Sequence, residues 1–381
     1  MNILMLNYEY PPLGGGAGQV TLNISERLAI HNNVYVVTSG FRGLPATEEQ
    51  GNLSVYRLNS LRKKEMGSNP LEMLSWMQKC LRFCDDYLLK HDVDLVFAHF
   101  TLPGGEVALR LKRKHNIPYV IMSHGHDIPW FFPRQMFIYH LGLYFRIKRI
   151  CKNASSIFLQ TPEMKAIVDK FTGKKHKHKN IIIPNACDSA FFTHVKNRPH
   201  DKLRMVFTGR FVNQKQPLTI IQALALLKKR NIDFEMSFIG NGPLLKRMQK
   251  LIRKHHLNDK INIRGWMTLN SIKKEYKTSH LFLMPSQAEG MSIAIIEAMA
   301  SGLYILITKS ANKYELVKQN LNGFIIDEIT PKNIAETIMN YYDNYFLHGI
   351  EIPDKTVEHL INIYNWKSIG DMYIHSLNNT L

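Results

Sequence analysis

Cysteine is scarce in this 381-residue chain: Cys80, Cys84, Cys151 and Cys187 are all it has. None forms a C-x-x-C pair or sits with a partnering His-x-x-x-His, which excludes a zinc ribbon or a disulfide scaffold and leaves the four as packing residues. Long apolar stretches are missing too. The longest, such as SIAIIEAMASG and LYILIT, fall well short of the roughly 20 residues a membrane-spanning helix needs. The N-terminus, MNILMLNYEYPP, has no basic region ahead of its apolar stretch, so no secretory leader is read there and a cytoplasmic location is expected. Acidic charge is in short supply: 31 Asp and Glu stand against 49 Lys and Arg, a net charge of +18. That excess calls for an anionic partner, whether nucleic acid, a phosphorylated ligand or an anionic membrane surface. The densest basic runs, RLKRKH (110–115) and KFTGKKHKHKN (170–180), read equally well as solvated faces.

At 45% hydrophobic residues the chain can fill two cores, and its length suggests two domains of roughly 150 residues or more. One unit recurs along it: a short apolar strand, a turn, an amphipathic helix. The strands read NILMLN, VYVVT, LSVYRL, DLVFAH, PYVIMS, SIFLQ and NIIIP, then, after the polar stretch HVKNRPHD (194–201), LRMVFTG, FEMSFIG, INIRG, HLFLMP, LYILIT and GFIID. Such alternation predicts mostly parallel sheets with helices on both faces. The expected fold class is α/β, with two doubly wound Rossmann-like domains facing across a cleft. The expected boundaries are an N-terminal domain over 1–197, a C-terminal domain over 198–355 and a helical segment over 356–381, where NWKSIGDMYIHSL (365–377) reads as one last amphipathic helix.

In open α/β sheets ligands bind at the carboxyl ends of the strands, so the turns there are where chemistry is sought. The first, YPPLGGGAGQ, carries Gly14, Gly15, Gly16 and Gly18 ahead of a helix expected from about Val20. Glycines there let backbone approach a phosphate or sugar, at a helix end of positive potential. A dinucleotide site would need an acid at the end of the second strand, which instead ends in Thr38 and Ser39. The turn TGRFVNQKQP offers Arg210, a planar fork for phosphate oxygens, and Lys215, a mobile point charge, before a helix with Pro217 in its first turn. IGNGP, with Gly240, Asn241 and Gly242, and RGWM, with Gly265 and Trp266, suit either a bound nucleotide or an ordinary strand-to-helix turn.

PSQAEGMSIAIIEAMASG places Glu289 in a loop and Glu297 inside a helix that Ser292 is expected to cap and Gly302 to end. The two acids thus lie on either side of a helix N-terminus suited to a phosphate. A ligand bound there by its phosphates would offer sugar hydroxyls to one carboxylate and ribose hydroxyls to the other. Glu297, among Ile295, Ile296, Ala298 and Met299, needs a partner for its charge.

With these residues the chain resembles, end to end, the retaining glycosyltransferases of the GT-B fold, family 4 (glycosyl transferases group 1). GGGAG, SHGHD (123–127), PNACD (184–188), Gly209–Arg210 with Lys215, GNGP, the E-x7-E element Glu289 to Glu297 followed by AMASG, and the late YELV and NGF carry the resemblance. It implies that Arg210 and Lys215 bind the donor diphosphate, Glu297 the ribose hydroxyls and Glu289 those of the transferred sugar. Gly240, Asn241, Gly242, Gly265, Trp266, Gly290, Met291, Ser292 and Ile293 would complete the donor site. His124 would lie across from the reacting sugar as a hydrogen-bonding group, and Gly14, Gly15 and Gly16 would face donor phosphate and acceptor. His124, Glu289, Arg210 and Lys215 are the expected catalytic group, and the terminal helix would cross back onto the N-terminal domain. The chain departs from the family at NQKQP, where PxKG is usual, at Ala186 for glycine and at Tyr304 for proline, the last expected to alter the shape near the donor.

The chemistry implied is transfer of a sugar from a nucleotide-diphosphate sugar to a hydroxyl of a glycan or lipid-linked glycan, with retention, in surface polysaccharide biosynthesis. Charge building on the leaving nucleotide would be met by Arg210, Lys215 and the helix end; no Asp-x-Asp metal element is read, so no metal and no cofactor beyond the nucleotide sugar is expected. Glycoside hydrolysis would instead need two carboxylates flanking one bond. IPWFFPRQMFIYHLGLYFRIKRICK (128–152) mixes aromatics with Arg134, Arg146, Lys148, Arg149 and Lys152, as a helix lying on anionic lipid would, although packing on the sheet explains it as well. Two rival functions stand beside the transferase. A sugar-nucleotide epimerase of the same fold would act on the nucleotide sugar alone. A basic nucleic-acid-binding protein would account for the charge, but the basic runs lack interleaved stacking aromatics, so no nucleic acid is expected as partner.

Overall fold

The computed structural model describes every residue except Met66, Phe132 and Leu381, and describes 133–136 without their side chains, which places the side chain of Arg134 outside the described residues. The chain divides into two units, Met1–Asn185 with Trp366–Leu381, and Ala186–Asn365.

The first unit holds β1 (Asn2–Leu6), β2 (Asn33–Ser39), β3 (Thr47–Gln50), β4 (Leu53–Leu58), β5 (Leu95–His99), β6 (Tyr119–Met122), β7 (Ser156–Leu159) and β8 (Asn180–Ile182). They form one sheet in the order β3-β4-β2-β1-β5-β6-β7-β8. Every pairing is parallel except β3 on β4. Strand β3, TEEQ, was not anticipated: it has no apolar residue, and as an exposed, charged edge it discourages pairing with another chain. The central strands are buried along nearly their whole length, as sheets covered on both faces require. The covering helices are α1 (Gly16–Ala29), α2 (Pro70–Leu88), α3 (Glu106–His115), α4 (Pro133–Asn153) and α5 (Pro162–Thr172).

The second unit holds β9 (Leu203–Thr208), β10 (Phe234–Ile239), β11 (Ile261–Gly265), β12 (Leu281–Met284), β13 (Tyr304–Thr308) and β14 (Gly323–Ile326), all parallel in the order β11-β10-β9-β12-β13-β14. Its helices are α6 (Pro217–Lys229), α7 (Leu245–Lys254), α8 (Leu269–Thr278), α9 (Ile293–Ala300), α10 (Pro331–Tyr341) and α11 (Asp354–Ile363). The last helix, α12 (Trp366–Asn378), belongs to the first unit.

The division falls at Asn185/Ala186, ahead of the polar stretch at 194–201. Cys187 and Phe192 are already packed in the second core, and Arg198 is buried with its guanidinium donating to the carbonyls of Val195 and Ser301, so that stretch is a tied-down part of the second unit. At the other end α11 stays with the second unit through the buried Val357, and α12 alone returns. Its Tyr373 ring packs against Phe97 and Phe158, and Arg27 of α1 pairs with Asp371.

All four cysteines are buried and free. Tyr304 stands at the start of β13, the end away from the loops that follow the strands. It is buried against Phe324, Tyr341 and Tyr345 at ring separations of 6.0, 5.1 and 5.3 Å. Its ring packs in the core, not at the loops whose shape it was expected to alter. One Asp-x-Asp spacing does occur, Asp92 to Asp94, but it precedes β5, where Asp94 accepts a hydrogen bond from the backbone N–H of Asn2.

Candidate functional site

Three turns follow β9, β10 and β11, and backbone hydrogen bonds join them side by side. Gly209 N–H donates to Ile239, Gly240 to Gly265, Phe211 to Asn241 and Leu244 back to Phe211, at 2.7–3.1 Å. This explains the GNGP glycines. A Cβ on Gly240 would lie 2.0 Å from the Gly209 carbonyl oxygen, and one on Gly242 2.5 Å from that of Phe211. Asn241 is exposed, with its Oδ1 accepting from Gly242 N–H, and Trp266, just past Gly265 at φ +68°, is 56% exposed.

The Gly209–Pro217 loop is fastened to the loop after β12. Gln214 donates from Nε2 to Ala288 O (2.6 Å), and Gln287 N–H donates to Gln214 O. Gln216 adopts φ +57° where the family's PxKG pattern has glycine, and its side chain offsets the strain by bonding Asn213 O and the Thr219 hydroxyl. Lys215 runs its stem over Gly209, where a Cβ would stand 3.2 Å from Lys215 Cδ, and pairs its Nζ with Glu289 Oε1 at 2.8 Å. Ser286 donates to the same oxygen at 2.7 Å, which leaves Oε2 without a partner among the described residues. Arg210, on the same turn, is exposed and has no ion pair among the described residues.

Helix α9 starts with Ser292 in the capping position, but its hydroxyl makes no capping bond and no acid lies in the first turn. The expected side-chain cap is absent, which keeps the helix-end N–H groups available to a ligand. Gly302, at φ +78°, ends the helix as expected, and a Cβ there would lie 2.2 Å from the His194 ring. Gly290, Ser292 and Ile293 are partly exposed, whereas the Met291 side chain is buried in the core, so only its backbone can meet a ligand. Glu297 is 8% exposed, forms no side-chain hydrogen bond among the described residues, and burial raises its carboxyl from 4.5 to about 8. The partner its charge requires is thus not supplied by the described residues. The burial that weakens the charge is what makes room for it.

In the first unit α1 begins at Gly16, four residues before the expected start. Gly14 takes φ +87°, and a Cβ on it would lie 2.6 Å from Glu9 Oε2, while one on Gly18 would strike the Leu13 carbonyl; Gly15 and Gly16 meet open space. The Glu9 carboxylate accepts from Gly15 N–H at 3.5 Å, so the chain's own anion stands at the helix end that the glycine pattern reserves for a phosphate. Arg62 lies buried behind this loop, bonding the carbonyls of Tyr8, Lys64 and Glu65.

His124 belongs to a network that extends across three turns. Its Nε2 lies 3.1 Å from His99 Nδ1, which is 3.2 Å from Thr21 Oγ1; Thr21 donates to Ala17 O and accepts from Asn7 Nδ2 at 2.6 Å. With its own proton so engaged, Thr21 Oγ1 can only accept from His99 Nδ1, and the His99–His124 contact needs a proton on one of its two facing ring nitrogens. Burial, with His126 nearby, lowers His124 to about 3, and His99 is also held well below its usual value, so both rings are neutral at pH 7. A neutral His124 ring is suited to hydrogen bonding. Asp127, buried, accepts from Thr101 N–H, Ser123 Oγ and His124 N–H at 2.8–3.0 Å and shapes the SHGHD turn. The SHGHD motif by itself gives Asp127 no task, and His99 is marked in the sequence only by its place at the end of β5. Asp127→Asn is expected to cost about 1–3 kcal/mol of stability by orphaning a buried donor. Thermal unfolding of the variant beside wild type reads that loss.

Two family models match the chain in tandem: Glycosyltransferase Family 4 over residues 14–191 and Glycosyl transferases group 1 over 189–358. An uncharacterized glycosyltransferase of Methanocaldococcus jannaschii is 22% identical over 346 residues, 90% of this chain and 89% of its own. The putative colanic acid biosynthesis glycosyltransferase WcaL of Salmonella typhimurium is 25% identical over 262 residues, 65% of this chain and 61% of its own. Among solved structures, Anabaena HepE in complex with UDP-glucose superposes with a TM-score of 0.77 at 17% identity, covering 100% of both chains. The fold is that of the GT-B glycosyltransferases.

Proposed function

The chain belongs to the glycosyltransferase superfamily, an enzyme class, and from that premise we propose that it transfers a sugar, with retention of configuration, from a nucleotide-diphosphate sugar to a hydroxyl of a glycan or lipid-linked glycan during surface polysaccharide assembly. The observation that carries the donor assignment is Glu297: a buried carboxyl without a described partner, placed in the helix whose amino end is uncapped. In this reading the ribose hydroxyls donate to Glu297, and the diphosphate lies at the amino end of α9 with Arg210 and Lys215. Glu289 Oε2 receives a hydroxyl of the transferred sugar. Charge that develops on the leaving phosphate is met by fixed cations and oriented N–H groups, each worth most where water is excluded. These groups do that work without a metal, so turnover is expected to persist in EDTA.

HepE was solved with UDP-glucose, which makes UDP the first nucleotide to try. The putative assignment of WcaL to colanic acid biosynthesis supports a polysaccharide acceptor. The test is thermal unfolding of the full chain with UDP, GDP and ADP in turn, followed by a transfer assay with the sugar form of whichever stabilises it. One nucleotide at about 100 times its dissociation constant should add roughly 2.7 kcal/mol of stability. Nucleotide should then be released in step with product of retained anomeric configuration. No stabilisation by any of the three would remove the donor assignment. Turnover of the nucleotide sugar without acceptor or nucleotide release would favour the epimerase, which nothing else here favours.

A further inference from the structure

We infer that the outer face of α4 and the basic turn beside it form a docking surface for an anionic phospholipid bilayer. Ile138, Leu141 and Phe145 are 85%, 69% and 83% exposed, and with Arg149 and Lys152 they form a single stripe at 3- and 4-residue spacing. The stripe is apolar in its first half and basic in its second. The opposite face, with Ile147, Ile150 and Cys151, is packed in the first unit's core, so the exposed stripe is the side that core does not use. Arg146 fixes the helix by pairing with Glu106 at 2.7 Å.

The second basic run, 174–179, is held at the carboxyl end of α4. Lys179 Nζ donates to the carbonyls of Lys152 and Ala154, at 3.3 and 3.0 Å. Lys174, Lys175 and Lys177 are exposed, and neither they nor Arg149 and Lys152 have an ion pair among the described residues. By itself the 174–179 run reads as a solvated face; the fold places it at the basic end of the α4 stripe, in line with aliphatic and aromatic side chains that soluble surfaces rarely present in a row. Apolar side chains inserted at the headgroup boundary with unpaired lysines around them match the chemistry of an acidic bilayer. No described helix is long and apolar enough to cross a membrane, so the contact is with its surface.

The test is co-sedimentation of the full chain with phosphatidylcholine vesicles, with and without roughly a third phosphatidylglycerol, at low and moderate salt. No nucleotide or sugar is needed, so the result is independent of the donor assignment. Binding is expected only with phosphatidylglycerol and is expected to weaken with salt. Lys174→Ser, Lys175→Ser and Lys177→Ser together should lower partitioning about a hundredfold, roughly fivefold per charge. Ile138→Glu, Leu141→Glu and Phe145→Glu together should abolish it. All six side chains are exposed, so unfolding temperatures should match wild type. Equal binding to both vesicle types, no binding, or binding unchanged in both variants would overturn the inference. So would light scattering that shows a dimer dissolved by the apolar substitutions, which would assign the face to a second copy.

Discussion

Glu297→Gln is expected to lower nucleotide affinity about 10- to 100-fold while leaving the apo protein as stable as wild type or more so near neutral pH. Hydrogen bonds to a charged acceptor contribute about 1.5–3 kcal/mol, and a neutral amide forfeits most of that. The apo effect has the opposite sign because burial raises the carboxyl from 4.5 to about 8. Between those values the native state holds a proton that the unfolded chain has released. The contribution of this group to stability is therefore fully present below 4.5 and is lost as pH rises to about 8, with a slope of up to ~1.4 kcal/mol per pH unit. Glutamine removes the slope. Ribose hydroxyls that donate to the carboxylate favour its ionised form, so nucleotide binding near pH 7 should release a proton and tighten as pH rises. Calorimetry in two buffers of different ionisation heat measures the proton. Equal affinity in the variant, with no proton released by wild type, would assign the ribose to another group.

Lys215→Ala is expected to do damage of two kinds. Lys215 and Glu289 are 16% and 9% exposed in their side chains, and removing the lysine leaves the carboxylate with only the Ser286 hydroxyl. Breaking a pair buried to this degree costs about 3–5 kcal/mol, several degrees or more in unfolding temperature. Lys215→Met combined with Glu289→Gln removes both charges and should regain most of that loss. Transfer activity should behave differently, falling about 10²–10³-fold in the single variant and staying down in the double, because the positive group that the proposed site sets against the leaving phosphate is lost in both. If the double variant regained activity along with stability, Lys215 would have a structural part only.

Much of the architecture was legible because the signal for it is local. Each strand named from its apolar run is present, and the alternation with helices placed the turns that carry Arg210, Lys215, Glu289 and Glu297. What escaped had little or no local signal. Strand β3 has no apolar residue to announce it. The bonds that close the helix starts cannot be read from residue type either: Asn69 with Glu72 and Thr161 close theirs, while Ser292, equally suited by type, does not. His99 was passed over because its importance lies in His124 and Thr21, distant in sequence.

The sequence by itself determined the α/β class, the two rounds of strand and helix, the strand-end turns and the basic excess, since periodicity of 2 or 3.6 and the chemistry of glycine and proline act over a few residues. Only the tertiary structure decided which groups are partners and which charges survive. Contact between Lys215 and Glu289, the neutral state of His99 and His124, the raised carboxyl of Glu297 and the placing of the 174–179 run at the basic end of the α4 stripe all depend on burial and on residues far apart in the chain, which no local pattern encodes.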